Sequence, residues 1–267
     1  MNRNRLLMRL PANRNAVADD APASSQSSQT SMRATGLASR DIFAPLPDSV
    51  LVELHERMDL REQGGLFALP PPLVQVKEHL TRRLFPTTDQ RRHIVHLRLH
   101  SHATAIAAAE VAEKARLRRY TAFLCGYLHD IGIASAIRHI DDFTSLASEL
   151  DFETAWPTIL SAAENHARCL SLRWRLPSTM RYAIRDHVGF VTTDNPHLMA
   201  CVTFVGEHLA SVLGCGFRDE QPPSGLRKAL SALGLTKRDL SPLSRRIEQR
   251  LGEVEIDWES LRFLREG

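Results

Sequence analysis

Leu124-Cys125-Gly126-Tyr127-Leu128-His129-Asp130-Ile131-Gly132 is the stretch on which the fold turns. Between Arg119 and Arg138 the chain carries a single charged residue, Asp130. A carboxylate in so apolar a run is expensive to bury unless something pairs with it. A histidine stands directly before it, and Gly132 two positions on is a residue at which a helix can end. A helix that delivers His-Asp from its C-terminal end into a buried space supplies half of a metal site. The other half has to come from elsewhere in the chain.

The surroundings are those of an ordinary folded protein. The chain has 267 residues, 43% hydrophobic and 24% charged, with a formal net charge of +3. That length accommodates a full core. The positive excess is spread over scattered arginines, with no basic block interleaved with aromatics, so nucleic-acid binding has no support. No run reads as long and apolar enough to span a membrane; residues 196–217 come nearest, interrupted by His197, Glu207 and His208. Cys125, Cys169, Cys201 and Cys215 show no CxxC spacing and sit in apolar helical contexts. They read as buried free thiols in a reducing compartment, and the expected location is cytoplasmic.

Residues 1–42 are poor in large apolar groups and are expected to be a disordered tail. Residues 43–92 read as a short helical segment. It holds a helix after Asp48-Ser49, an extended connector at Leu69-Pro70-Pro71-Pro72, and a helix from Val74 to Leu84 closed by Pro86. Residues 93–255 read as the main domain, and the fold class is all-α, since no stretch alternates with period two. His93 to Leu117 is dense in alanine, which suits a central helix approached closely by its neighbours. Tyr120 to Asp130 is the next helix. Further helices are expected from Asp141 or Asp142 to Leu150, from Pro157 to Trp174, and from Ser178 to Gly189. Another follows from Asn195-Pro196 to Gly214, then two surface helices near 226–233 and 239–252.

The helix 196–213 repeats the feature of the opening stretch. From Asn195 to Phe217 its only formal charge is Glu207, and the neighbours on that side are Ala200, Thr203, Ala210 and Ser211. A solvated face would carry Lys and Glu, so Glu207 reads as buried and paired. Histidines gather in the same part of the chain, among them His100, His129, His166 and His187. Imidazole and carboxylate together suit divalent ions such as Mn, Fe or Zn.

His100-Ser101, followed by His129-Asp130-Ile131-Gly132, resembles the start of the HD superfamily of metal-dependent phosphohydrolases. Trp174-Arg175-Leu176-Pro177, then Ala183-Ile184-Arg185-Asp186-His187, then Leu233-Gly234-Leu235-Thr236 narrow the resemblance to the HD-related output domain, HDOD, a bacterial signalling relative. It covers roughly 95–250 and implies an all-helical HD/HDOD-like fold. It implies metal ligands His100, His129, Asp130, His187 and Glu207, the last in the place of an aspartate, and catalytic roles for Asp130, His166 and His187. Asp186 stands where the first histidine of a His-His pair is usual, and Ile133 where a lysine commonly follows His-Asp-Ile-Gly. His166 lies about three residues too close to Trp174, nearly one helical turn.

Two functions follow from the resemblance. One is a signalling or regulatory protein, with a protein partner or a homodimer as its means of action. The other is a metal-dependent phosphohydrolase acting on a nucleotide or cyclic dinucleotide, the phosphorylated small molecule touched by arginines such as Arg138, Arg173, Arg181 or Arg185. Either is expected to use a divalent metal (Fe, Mn, Zn or Mg). What separates them is whether all the ligands are in place at once.

Overall fold

The computed structural model describes residues 42–57, 69–85, 92–144, 152–187, 194–217 and 225–253, and among them every regular element is helical. In chain order the helices are α1 (Asp48–Arg57), α2 (Pro71–Leu84), α3 (Arg92–Lys114), α4 (Arg119–Leu128) and α5 (Ile131–Thr144). They continue with α6 (Phe152–Arg173), α7 (Ser178–Asp186), α8 (Leu198–Ala210), α9 (Leu226–Ala232) and α10 (Lys237–Glu253). A π turn, Ser211–Cys215, prolongs α8.

α3 is the central helix because its middle, from Ala103 to Ala109, is built mostly of small side chains. Ala103, Ala105, Ala107, Ala108 and Ala109 are buried, and α4 and α8 lie against it. Two glycines set how near those helices come. A Cβ added at Gly126 of α4 would meet the Thr104 carbonyl oxygen at 2.7 Å, and one at Gly206 of α8 would meet the Ala108 nitrogen at 2.7 Å. Both contacts run antiparallel, so residues just after Gly126 and Gly206 face the N-terminal half of α3, where His100 lies.

α10 is fastened to α3 by a buried carboxylate. Glu110 of α3 meets Arg246 at 3.2 Å and Arg250 at 3.5 Å from α10, and Arg119 at 3.7 Å. Leu243, Ile247 and Leu251 of α10 are buried as well, so this helix closes the core and is more than a surface addition. The expected N-terminal segment joins the same core: Leu51, Leu54, Leu73, Val76, Leu80 and Leu84 belong to the one hydrophobic cluster. Ile42, placed by sequence in the tail, is buried, and its carbonyl accepts the Trp174 indole N–H at 3.0 Å. The rest of that tail, 1–41, lies outside the described residues.

Several boundaries differ from the sequence reading for identifiable reasons. Pro71 and Pro72 start α2 and do not form an extended connector, since the first helical positions need no N–H donor. Residues 131–144 are one helix with Asp141 and Asp142 inside it; Ile131, Ala134 and Ile137 give the buried stripe that drives it. The expected end at Leu150 lies outside the described residues. α6 begins at Phe152, with Pro157 inside the helix. α8 begins at Leu198, not Pro196, because the His197 side chain accepts from the Met199 N–H at 3.2 Å and caps it. Leu198–Cys215 does have the length and composition of a membrane-crossing helix, contrary to the sequence reading, yet 61% of it is buried inside the domain. Cys169 is exposed, while Cys125, Cys201 and Cys215 are buried free thiols as expected.

Candidate metal centre

His129 is the residue that ends α4, and His187 the residue that ends α7. The last carbonyls of a helix lack intrahelical partners. Each histidine turns its ring back onto one of them: His129 Nδ1 is 2.7 Å from the Gly126 carbonyl oxygen, and His187 Nδ1 is 2.9 Å from that of Ile184. His100, within α3, does the same with the carbonyl of Cys215 in the π turn, at 2.9 Å. A carbonyl only accepts, so all three rings donate Nδ1–H, and in the neutral ring each Nε2 offers its lone pair to a cation or a proton. Fixing the tautomer in this way orients a histidine as a metal ligand.

The three Nε2 atoms face the two carboxylates. His100 Nε2 and His129 Nε2 are 3.1 Å apart, and Asp130 Oδ2 lies 3.4 Å from the first and 3.3 Å from the second. Glu207 Oε1 is 3.9 Å from His129 Nε2, and Glu207 Oε2 is 4.0 Å from His187 Nε2. Two donor groups result, His100–His129–Asp130 and His129–His187–Glu207, sharing His129. The histidines are buried, and the Asp130 and Glu207 side chains are 10% and 13% exposed.

This arrangement fits a divalent cation on three counts. Two lone pairs facing one another at 3.1 Å repel unless a positive charge lies between them. Adjacent ligands on an ion with metal–nitrogen bonds of about 2.1 Å are separated by about 3.0 to 3.4 Å, which is the spacing of the His100–His129–Asp130 triangle. Three neutral imidazoles and two carboxylates carry a charge of −2, and the negative ends of α4 and α7 point the same way. Without an ion, protons take over that role. Burial on its own depresses the His129 imidazole, but the Asp130 and Glu207 carboxylates outweigh it and hold the ring up at about 9. Burial likewise works against the Asp130 anion, and the two histidines overcome it, keeping the carboxyl well below its usual range.

All five residues read from the sequence as ligands thus come together: His100, His129, Asp130, His187 and Glu207. His166 does not join them. Its Nδ1 is 2.8 Å from Ser135 Oγ, and its ring packs edge-on against His139 at 5.2 Å and Phe43 at 5.6 Å. Burial and the nearby His139 lower its pKa. The displacement of about one turn along α6 accounts for this. Asp186, in the place of the missing histidine, is bound by Arg185 at 2.7 Å and belongs to neither donor group. Arg138 is buried and donates to the Arg83 carbonyl, which removes it as a phosphate contact. What the sequence reading missed is the set of carbonyls behind the rings. The signal for two of them was present: His129 and His187 each stand at a helix end, three residues after the carbonyl they engage.

A helical domain that brings a lone histidine, a His-Asp doublet and a later acidic residue to one point has the arrangement that the resemblance implied. Residues 77–189 match the HDOD domain. The match begins inside α2, earlier than the motifs alone indicate, and ends just after His187. No curated protein matches the chain. Among solved structures, it is similar to one described as a candidate signal transduction protein from Marinobacter aquaeolei VT8, at 14% identity and a TM-score of 0.48. That alignment covers 85% of this chain, which spans 65% of the other.

Proposed function

We propose that this chain is a signalling or regulatory HDOD protein whose centre holds a divalent ion in His100, His129, Asp130, His187 and Glu207. The observation that carries the reading is the convergence of five donors from separate parts of the fold, each ring already locked in the ligating tautomer by a carbonyl behind it. Three nitrogens among five donors favour Fe, Mn or Zn over Mg, which prefers oxygen. Glu207 serves where an aspartate is usual, its extra methylene spanning the distance from α8 to both His129 and His187. The ion's effect on activity passes through the ends of α4 and α7, which it ties to α3 and α8. A protein partner or a second copy of the chain then receives the signal.

A phosphohydrolase is the second reading, favoured by the retention of His100, His129 and Asp130 in one donor group. When bound, a divalent ion supplies Lewis acidity and lowers the pKa of coordinated water. The chain's own contribution beyond the ligands is weak. His166 is engaged with Ser135, Ile133 replaces the usual lysine, and Arg138 is turned inward.

Metal analysis of the purified chain beside Asp130→Ala tests the proposal. Stoichiometric Fe, Mn or Zn in the wild type, lost in the variant, is the expected result. A wild type that neither retains nor takes up such an ion removes both readings of the centre. Turnover of a nucleotide or cyclic dinucleotide by the loaded protein, abolished by Asp130→Ala, would move the assignment to the hydrolase.

A further inference from the structure

The three rings of the centre are not held alike. His129 and His187 each lie three residues after the carbonyl they engage, so their own helices fix them. His100 is held from across the fold: its Nδ1 is 2.9 Å from the carbonyl oxygen of Cys215, 115 positions further along the chain. Its orientation therefore depends on how the chain runs beyond α8. There the π turn Ser211–Cys215 replaces regular helix. It grows directly from the turn that bears Glu207, since the Ser211 N–H donates to the Glu207 and His208 carbonyls. One short segment is thus attached to two of the five donors.

Within that turn Gly214 has φ 84° and ψ 13°, a left-handed conformation that residues with a Cβ adopt only at a cost. Gly214 is exposed, and a Cβ added there would meet no atom of the described residues within 4 Å. Backbone conformation, not space, is what calls for glycine. The left-handed residue immediately precedes Cys215, and Gly216 after it returns to φ −65° and ψ 143°. A Cβ at Gly216 would meet Ser211 Oγ at 3.0 Å, so the turn folds back onto its own first residue. The chain leaves the helix at that point, and the Cys215 carbonyl accepts from the His100 ring.

We propose that Gly214 is a positioning residue of the centre: its left-handed backbone aims the Cys215 carbonyl at His100 Nδ1, which keeps His100 Nε2 turned toward His129 and Asp130. Its consequence for affinity rests on the metal reading of the centre, whereas its effect on the ring rests on the geometry of the turn alone. A residue with no side chain to offer the ion then sets how well one ligand is presented.

Gly234 supplies the control. It follows α9 with φ 67°, is equally exposed, and a Cβ there likewise meets no atom of the described residues within 4 Å. Alanine at either position carries the same kind of backbone cost, so Gly214→Ala and Gly234→Ala should lower the urea midpoint alike. Only Gly214→Ala should also weaken binding of Zn²⁺ or Mn²⁺, by about tenfold. Gly214→Asn should recover most of that loss, because asparagine tolerates left-handed backbone. The second readout needs no metal. Ring ¹⁵N shifts of His100 in the stripped protein should report the Nδ1–H tautomer in the wild type and in Gly234→Ala, and a mixture in Gly214→Ala. Equal losses of affinity in the two alanine variants, or a Gly214→Ala chain that keeps both affinity and tautomer, overturn the proposal. A wild type that takes up no ion removes the metal reading of the centre, and a tautomer change confined to Gly214→Ala then still supports the role assigned to Gly214.

Discussion

At the residue scale, the centre rests on five donors that differ in how easily a sequence reveals them. Asp130 and Glu207 were legible because each is the only formal charge in a long apolar stretch, and a buried carboxylate requires a partner. His129 was legible through its neighbour. His100 and His187 are ordinary helical histidines by composition, and only the resemblance singled them out. His166 shows the limit: its motif position was approximate, and a shift of about one turn along α6 gave it Ser135 and His139 as partners. These differences lead to a paired test. Glu207→Gln should weaken binding of the divalent ion by at least about tenfold, by analogy with losses at groups that tune metal sites. His166→Ala should leave the affinity unchanged. Competition titration against a chromophoric chelator reads both, and an equal loss in the two variants would place His166 at the centre and contradict the geometry described above.

At the element scale, the class of each helix was readable and its ends were not. The alanine-rich run from Ala103 to Ala109 announced the central helix, and the same run explains the depth at which α4 and α8 seat. The boundaries that moved are those set by tertiary partners. α5 forms because Ile131, Ala134 and Ile137 find a buried surface, which no local signal in 131–140 declares. α8 starts at Leu198 because His197, an unusual cap, supplies the acceptor that Asn195 was expected to provide. The close packing carries its own prediction. Gly126→Ala adds a methyl 2.7 Å from the Thr104 carbonyl, where only backbone can give way. The helix-propensity gain of up to about 1 kcal/mol is outweighed by overpacking of about 1 to 3 kcal/mol. Urea unfolding should show a lower midpoint, and metal affinity should fall in parallel because His129 lies one turn further along. A midpoint at or above the wild type would mean that α3 and α4 pack less closely than described.

At the scale of the whole molecule, stability and the centre are one problem, because the cluster of His100, His129, Asp130, His187 and Glu207 joins α3, α4, α7 and α8. In the metal-free protein the His129 proton helps to hold that cluster together. Its folded pKa is raised from 6.5 to about 9, so its contribution is fully present below 6.5 and is lost as pH rises through 9. The partner Asp130, depressed below 3.8, contributes above that value and loses its contribution as pH falls through its folded pKa. Stability of the stripped protein from this pair is therefore greatest on the acidic side of neutrality and declines toward pH 9. A bound divalent ion reverses the upper half of this profile. It requires unprotonated imidazoles, so its affinity grows as protons leave the histidines, and ligand binding stabilises in proportion to the logarithm of occupancy over dissociation constant. The difference in Tm between metal-loaded and chelator-stripped protein should accordingly widen from pH 6.5 to 9, and should vanish in Asp130→Ala. Parallel profiles for loaded and stripped protein across that range would show that His129 and Asp130 do not bind the ion, however well their positions suit one.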